Sequence, residues 1–354
     1  MKKNHWTMIT AVALTFLVAA PALLAQGPAA TYEGRLPSAY GARTLPALEI
    51  DADFYQPGVA RERLARALAE MAGPELPPLA AQALRQATPD ERTLWTGSSP
   101  ADPGLEFAFD RTAGRLEVVQ TRLQGVRPWE RTGPTVSRAE ALARAKDFIH
   151  TLHRARVLDR RDFDLDDLEV TVQRTGLGAR GAPTASALEW VDQYRIAARR
   201  VVNGLPVVGS GVRVVIDASG AVSEVSLAYR QLQGARGGGK ADPAGRGQEV
   251  AVTRTPEDAK ARFEAALGLP SGTRVHVERW GLAYLDTGEA SQAFYQPVYV
   301  FAATPLTETE TGTIAGRQVV RVVPASTTTL EEISFDPFEN APPGSGGGDP
   351  RPGA

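Results

Sequence analysis

Residues 199–220 read RRVVNGLPVVGSGVRVVIDASG, two apolar strands interrupted by residues that favour turns. Asn203 and Gly204 both tolerate a positive φ angle, and together they predict a two-residue hairpin turn. Asp217 and Gly220 mark a second turn, because an Asp side chain bonds to nearby backbone amides and Gly adopts a positive φ without strain. Together with the strand that follows, this run predicts three antiparallel strands joined by two tight turns.

Helices precede strands twice along the chain. Ser137 and Glu140 form a capping box, in which the hydroxyl and the carboxylate satisfy the first free backbone amides of a helix. Thr255 and Asp258 form a weaker cap in front of a second helix, and strand-like segments follow both helices. Helices on one face of antiparallel strands are typical of the α+β class. We therefore predict an α+β fold of two or three helix-plus-antiparallel-sheet modules, counting the N-terminal part as the third.

The N-terminus has the order of residues that a secretory signal shows. Lys2 and Lys3 precede an apolar run that is shorter than the ~20 residues of a membrane span, and small residues follow it. We expect export to the periplasm, the cell envelope or the extracellular space. An uncleaved signal would be the one connection to a membrane.

Changes in composition divide the chain into six parts. Stretches rich in Gly, Pro and charge bury too little apolar surface to fold, so they separate the folded parts. The predicted parts are a signal peptide over 1–25, an N-terminal α+β region over 26–132, a module over 133–232, a flexible linker over 233–250, a second module over 251–336 and a disordered tail over 337–354.

The overall composition excludes several classes of function. The 354 residues include 39 Lys+Arg and 41 Asp+Glu, a formal net charge of −2. Nucleic-acid binding needs concentrated positive charge, so this balance argues against it. The sequence contains no cysteine, which excludes disulfides, zinc–thiolate sites and thiol nucleophiles.

Residues 190–227 resemble the PepSY and FTP class of propeptide domains, which precede thermolysin-like and fungalysin-like secreted metallopeptidases. The resemblance rests on the letters NGLPVVG at 203–209, followed by Asp217, Gly220 and Val222. The capped helix at Ser137 stands where that family places its helix. The second unit matches only in the order of its elements, and the N-terminal region lies outside the resemblance.

The resemblance implies a PepSY-like, or cystatin-like, module that stands without a peptidase domain, because the His-Glu-x-x-His signature is absent from this sequence. It implies a secreted, non-catalytic binding module that restrains or chaperones a secreted peptidase, or binds an extended peptide. Two alternatives stay open: a cell-envelope scaffold, and a hydrolase whose motif is not recognisable.

Two clusters have residue types that bind metals. His150 and His153 lie three apart and share one face of the predicted helix, but no third ligand stands at a suitable spacing. Asp162, Asp164 and Asp166 resemble the opening of a calcium loop, but position 167 is Asp rather than Gly and position 173 is Gln rather than Glu. We expect neither cluster to hold a metal.

Gly176, Gly178 and Gly181 match the glycine pattern of a dinucleotide-binding loop. A strand rather than a helix is predicted to follow, so no helix N-terminus is present to cradle a phosphate, and we expect no cofactor. Arg195 and Arg199 fall on one face of their predicted strand. They are the candidate docking patch for an acidic partner, with a solvated sheet face as the alternative.

Overall fold

The computed structural model describes only part of the chain, and the statements below concern that part. The described residues are 30–32, 44–72, 94–98, 104–121, 123, 135–177, 188–233, 249–267, 274–289, 291–309 and 312–330. The signal peptide predicted over 1–25, most of the linker predicted over 233–250 and the tail predicted over 337–354 lie outside these residues. The division into six parts therefore stays a prediction.

The described elements are fifteen strands and three α-helices, with short 3-10 turns between some of them. In chain order they are β1 (Ala30–Tyr32), β2 (Thr44–Pro46), β3 (Leu48–Glu49), α1 (Pro57–Ala72), β4 (Leu94–Ser98), β5 (Leu105–Asp110), β6 (Arg115–Gln120), α2 (Arg138–Arg154), β7 (Glu169–Leu177), β8 (Leu188–Val202), β9 (Leu205–Asp217), β10 (Val222–Ala228), β11 (Glu249–Ala251), α3 (Pro256–Ala266), β12 (Arg274–Leu285), β13 (Phe294–Thr309), β14 (Gly312–Ala315) and β15 (Val319–Pro324).

Seven strands form an antiparallel half-sheet in the order β7-β8-β9-β10-β6-β5-β4. Side chains alternate between the two faces of a strand, so one face is apolar and packs against α1 and α2. Leu64 and Leu68 of α1 and Ile149 of α2 are fully buried in this core. The capping box predicted at the start of α2 is present: the Glu140 backbone N–H donates to Ser137 Oγ at 3.2 Å, and the Ser137 N–H donates to the Glu140 carboxylate at 2.8 Å.

The second half-sheet is built on the long hairpin of β12 and β13. The far edge of β13 pairs with β3, β15 and β14 in turn, and β1 pairs in parallel with β12. Helix α3 covers this half: its Phe263 stacks on Phe301 of β13 with ring centroids 4.5 Å apart. The two rings form the centre of a second core.

The two half-sheets join through a short parallel pairing of β9 with β12. Val207 stands opposite Tyr284 and Val208 opposite Leu285, and this contact makes one mixed sheet of thirteen strands. A separate pair, β2 with β11, forms a two-stranded sheet.

The predicted fold class, an α+β fold of two or three helix-plus-antiparallel-sheet modules, is wrong. Of the residues that the structure describes, 52% lie in strands and 22% in helices, so the described part is mostly β-sheet. Its large sheet is mixed and extends through both halves. Helices α2 and α3 begin where their caps predict, but the strands of different segments share edges: β10 pairs with β6, and β9 pairs with β12. Local sequence patterns identify strands but not the strands with which they pair. They therefore could not show that strands of different predicted modules form one sheet.

The Asn203-Gly204 turn has the backbone geometry of a two-residue hairpin. Asn203 has φ 54° and Gly204 has φ 76°, and the flanking Val202 and Leu205 face each other in the ladder. A Cβ on Gly204 would meet nothing within 4 Å, so a substitution there costs backbone strain alone.

We therefore expect Gly204→Val to lower the free energy of unfolding by about 1–3 kcal/mol, because a β-branched residue strongly disfavours positive φ. Denaturant melts would measure the loss. Gly204→Asn is the matched control, since Asn tolerates this region and should retain most of the stability. Equal stability of the Val and Asn variants would show that the turn is wider than described.

Candidate functional site

An open groove of about 1000 Å³ lies between α1 and the segment that follows α2. Its lining is unusually rich in arginine: Arg63, Arg66, Arg156, Arg160 and Arg161 all line it. The carboxylates that line it are Asp53, Glu62 and Asp159. Among the described residues, the lining therefore has two more positive than negative charges, although the whole chain is slightly acidic.

Helix α1 presents two of these arginines because of helical periodicity. Leu64 and Leu68 face the core, and this orientation places Arg63 and Arg66, which are three residues apart, on a flank of the helix beside the groove. Arg66 donates to the carbonyl of Ala155 at 3.0 Å, which ties α1 to the end of α2. One wall of the groove is thus fixed against the other.

The end of α2 turns the chain into the groove through a Schellman motif. The Val157 N–H donates to the Leu152 carbonyl at 2.9 Å, and the Arg156 N–H donates to the His153 carbonyl at 2.9 Å. Arg156 has φ 58°, in the left-handed region where glycine is the usual residue at this position. The motif therefore holds an arginine where backbone energetics favour glycine.

Two of the groove carboxylates, Asp159 and Glu62, are engaged by neighbouring arginines. Arg161 Nε lies 3.0 and 3.1 Å from the two Asp159 oxygens, and these hydrogen bonds hold the Asp159 pKa below its ordinary value. Glu62 pairs with Arg66 one helical turn away. Asp159 and Glu62 are therefore already compensated within the protein.

The arginines differ in what they contact. A guanidinium nitrogen of Arg160 lies 3.2 Å from His150 Nδ1, and Arg63 donates to the side chain of Gln231. Arg156 is exposed, and its guanidinium makes no hydrogen bond or ion pair with the residues that the structure describes. This cation is available to a ligand without breaking a contact.

Buried Tyr229 forms part of the base of the groove. Its hydroxyl accepts a hydrogen bond from the Asp159 backbone N–H at 3.2 Å, and burial raises its pKa to about 12. The hydroxyl is therefore protonated at neutral pH. Its ring packs on the guanidinium of Arg200, whose central carbon lies 4.4 Å from the ring centroid.

Beneath Tyr229, two fully buried arginines connect the half-sheets. Arg200 of β8 pairs with Asp162 at 2.8 Å and donates to the carbonyl of Arg230 at 2.8 Å and to the hydroxyl of Tyr295 at 3.1 Å. Arg230, which follows β10, pairs with buried Asp286 after β12. Both arginines of the network are closed to solvent, whereas the Asp162 side chain is 24% exposed.

The residues predicted for docking lie elsewhere. Arg195 and Arg199 are exposed on β8, and Arg199 pairs with Glu169 of β7 at 3.1 Å. Neither arginine lines the groove. The docking role assigned to them stays a prediction.

The second predicted turn is held by one carboxylate oxygen. Asp217 Oδ1 accepts from the backbone amides of Ser219 and Ala221 at 3.0 and 2.9 Å. Gly220 has φ 89°, and its carbonyl accepts from Arg144 of α2 at 2.8 Å. This turn and the Asn203-Gly204 turn are separate from the groove.

The predicted metal-type clusters are used in other ways. His153 lines the groove, and Asp162 is the partner of Arg200. Asp164 Oδ1 accepts backbone amides from Asp166 and Asp167 at 3.0 and 3.2 Å. Within the described ranges, no group of three or more His, Asp or Glu side chains is placed to hold a metal ion.

The glycine pattern that begins at Gly176 continues in residues 178–187, which lie outside the described part of the chain. The groove itself was not predicted. Its sequence signal is the run HRARVLDRR at 153–161, which contains four arginines. What the sequence could not show is that α1 brings further arginines beside this run.

Comparisons with known proteins give little further information. No family model matches the chain, and no curated protein matches it. None of the helices among the described residues is long and apolar enough to cross a membrane.

Two solved structures resemble parts of the chain. One is an uncharacterised protein from Eubacterium rectale ATCC 33656, with 11% identity, a TM-score of 0.37, and coverage of 83% of this chain and 86% of the other. Another is the C-terminal domain of YpeB from Bacillus megaterium, with 11% identity, a TM-score of 0.25, and coverage of 68% and 83%. At these TM-scores neither likeness assigns the chain to a family.

Proposed function

We propose that this chain is an exported, non-catalytic binding protein that takes an extended acidic segment of a partner protein into the arginine-lined groove. The observation that carries the proposal is Arg156. It lines an open groove, it has no side-chain partner in the described chain, and it occupies a left-handed backbone position that glycine fills with less strain. The guanidinium of Arg156 is therefore free to bind a carboxylate, and the residue is held at a position where glycine would be less strained.

Charge and shape favour a peptide that carries carboxylates. Arginine forms bidentate, charge-assisted hydrogen bonds with a carboxylate, and these are among the stronger polar contacts available to a surface. The groove volume of about 1000 Å³ is at the upper end of small-ligand sites, and the groove is open to solvent. A segment of several residues therefore suits it better than a small enclosed molecule.

The partner that we propose is a secreted peptidase, from the resemblance of residues 190–227 to propeptide domains. A module of that class acts by covering a protein surface, which requires no catalytic group. The absence of cysteine from the sequence is consistent with this role. An acidic segment on such a peptidase would provide the carboxylates that the groove accepts.

The proposal predicts opposite effects of Arg156→Gly on stability and on binding. Glycine relieves the left-handed strain, so the free energy of unfolding should rise by about 1 kcal/mol. Loss of the guanidinium should weaken binding of a fluorescein-labelled Asp/Glu decapeptide at least about tenfold, since a charge-assisted hydrogen bond contributes about 1.5–3 kcal/mol. Fluorescence anisotropy and denaturant melts would measure the two effects.

Arg195→Gly is the matched control, because Arg195 is an exposed arginine that does not line the groove. It should leave peptide affinity within about twofold, given the screening length of about 8 Å at physiological salt. An equal loss of peptide affinity in both variants would indicate that the peptide binds on the exposed face of β8. Unchanged affinity in Arg156→Gly would refute the proposal that the peptide binds in the groove. Hydrolysis of the peptide during incubation, detected by mass spectrometry, would refute the non-catalytic assignment.

A further inference from the structure

The first described strand, β1, occupies the edge of β12 and is only three residues long. It pairs in parallel, with Ala30 opposite Val275, Thr31 opposite His276 and Tyr32 opposite Val277. So short a strand makes few backbone hydrogen bonds, and such elements belong to the least stable part of a fold. Its position therefore depends on how its side chains are held.

Tyr32 lies in a pocket that contacts both its aromatic ring and its hydroxyl group. Its ring meets the Trp280 ring edge-on with centroids 5.6 Å apart, and Lys260 Nζ lies 4.5 Å from the Tyr32 centroid. Its hydroxyl donates to Glu264 Oε1 at 2.7 Å. The aromatic wall and the cation bind the ring, and the carboxylate distinguishes a tyrosine from a phenylalanine.

The edge of β12 that receives β1 is longer than β1 itself. On this edge β12 pairs with β1 at residues 275–277 and with β9 at Tyr284 and Leu285, both in parallel. Between these contacts, no strand of the described chain pairs with residues 278–283 on this edge. An extended segment that ran in the same direction could therefore use more of the edge than β1 does.

We propose that the edge of β12 beside Trp280 is a strand-acceptor site for an extended peptide that inserts a tyrosine between Trp280, Lys260 and Glu264, and that β1 occupies this site in cis. The ligand class follows from the occupant that the structure shows: a parallel strand with a tyrosine opposite Val277. A partner segment binds by displacing β1 from this edge. It is favoured over β1 when it pairs with more residues of β12. Main-chain pairing gives affinity, and the tyrosine pocket gives selectivity.

The test uses a labelled peptide with the sequence GPAATYEGR, which copies residues 27–35. Thr31 Oγ1 lies 3.3 Å from His276 Nδ1, so Thr31→Cys with His276→Cys places two thiols within reach of a disulfide in a chain that has no other cysteine. The disulfide locks β1 in place, and reduction releases it. The same protein molecule thus serves as its own control.

We expect the reduced double variant to bind the peptide at least about tenfold more tightly than the oxidised form. A peptide with alanine in place of its tyrosine should lose that binding, and a phenylalanine peptide should be intermediate because it loses the bond to Glu264. Equal binding by the oxidised and reduced forms, or equal binding of the tyrosine and alanine peptides, would overturn the proposal.

A second variant guards against a disulfide that fails to form. Tyr32→Ala removes the anchor of β1, so it should raise affinity for the GPAATYEGR peptide, and adding Glu264→Ala should cancel most of that gain. Near-ultraviolet circular dichroism would confirm that both variants remain folded. No gain in a folded Tyr32→Ala protein would overturn the proposal. These readouts are independent of Arg156, so this site and the groove can fail separately.

Discussion

Gly209→Ala is expected to lower the free energy of unfolding by about 3 kcal/mol or more, because one methyl group would collide with a backbone carbonyl. Gly209 has φ 89°, and a Cβ there would lie 2.0 Å from the Asp286 carbonyl oxygen and 3.1 Å from its carbon. That carbonyl is not free to withdraw. The Asp286 N–H donates to the Val208 carbonyl at 2.8 Å, and the Asp286 carboxylate pairs with buried Arg230.

Gly204→Ala is the matched comparison for this prediction. Gly204 also has a positive φ, 76°, but its added Cβ would meet nothing within 4 Å. The same substitution should therefore cost about 1 kcal/mol, from backbone strain alone. Urea unfolding followed by circular dichroism would measure both variants. Equal losses would mean that β9 and β12 do not approach each other as closely as described.

Gly209 shows what the sequence can and cannot predict. It belongs to the NGLPVVG run, and the turn at Asn203 and Gly204 follows from local residue preferences, as does the capping box at Ser137. The reason for a glycine at 209 is the carbonyl of Asp286, far along the chain. No local pattern contains that contact, and the same gap in information made the predicted α+β fold class wrong.

Arg200 shows the same limit for the candidate site. Strand alternation places it on the opposite face from Arg195 and Arg199, and it does lie there, fully buried. A buried arginine is stable in that position because Asp162 forms an ion pair with it and Tyr295 accepts a hydrogen bond from it. Both partners come from other segments of the chain. The groove is likewise formed by segments that are distant in sequence. The arginine run at 153–161 can be recognised in the sequence, but the sequence does not show that Arg63 and Arg66 of α1 lie beside it.

Asp286→Ala is expected to lower the free energy of unfolding by about 3–5 kcal/mol, because it leaves the Arg230 guanidinium buried without its counter-charge. Both side chains are almost completely buried. The Tyr295 hydroxyl, which donates to Asp286 Oδ2 at 2.8 Å, would also lose its acceptor. Asp258→Ala is the control: Asp258, whose side chain is partly exposed, pairs with Arg254 and Arg262 at the start of α3, and its loss should cost much less.

The double variant Arg230→Met with Asp286→Ala separates loss of the pair from creation of an unpaired charge. Replacing a buried ion pair by apolar groups is often close to neutral, so the double variant should recover a large part of the stability that Asp286→Ala loses. Urea melts of the single and double variants would give the coupling between the two positions. If the double variant is as unstable as Asp286→Ala, the penalty lies in lost packing and not in the stranded charge. Recovery would show that the junction between the half-sheets requires a compensated arginine rather than an ion pair as such.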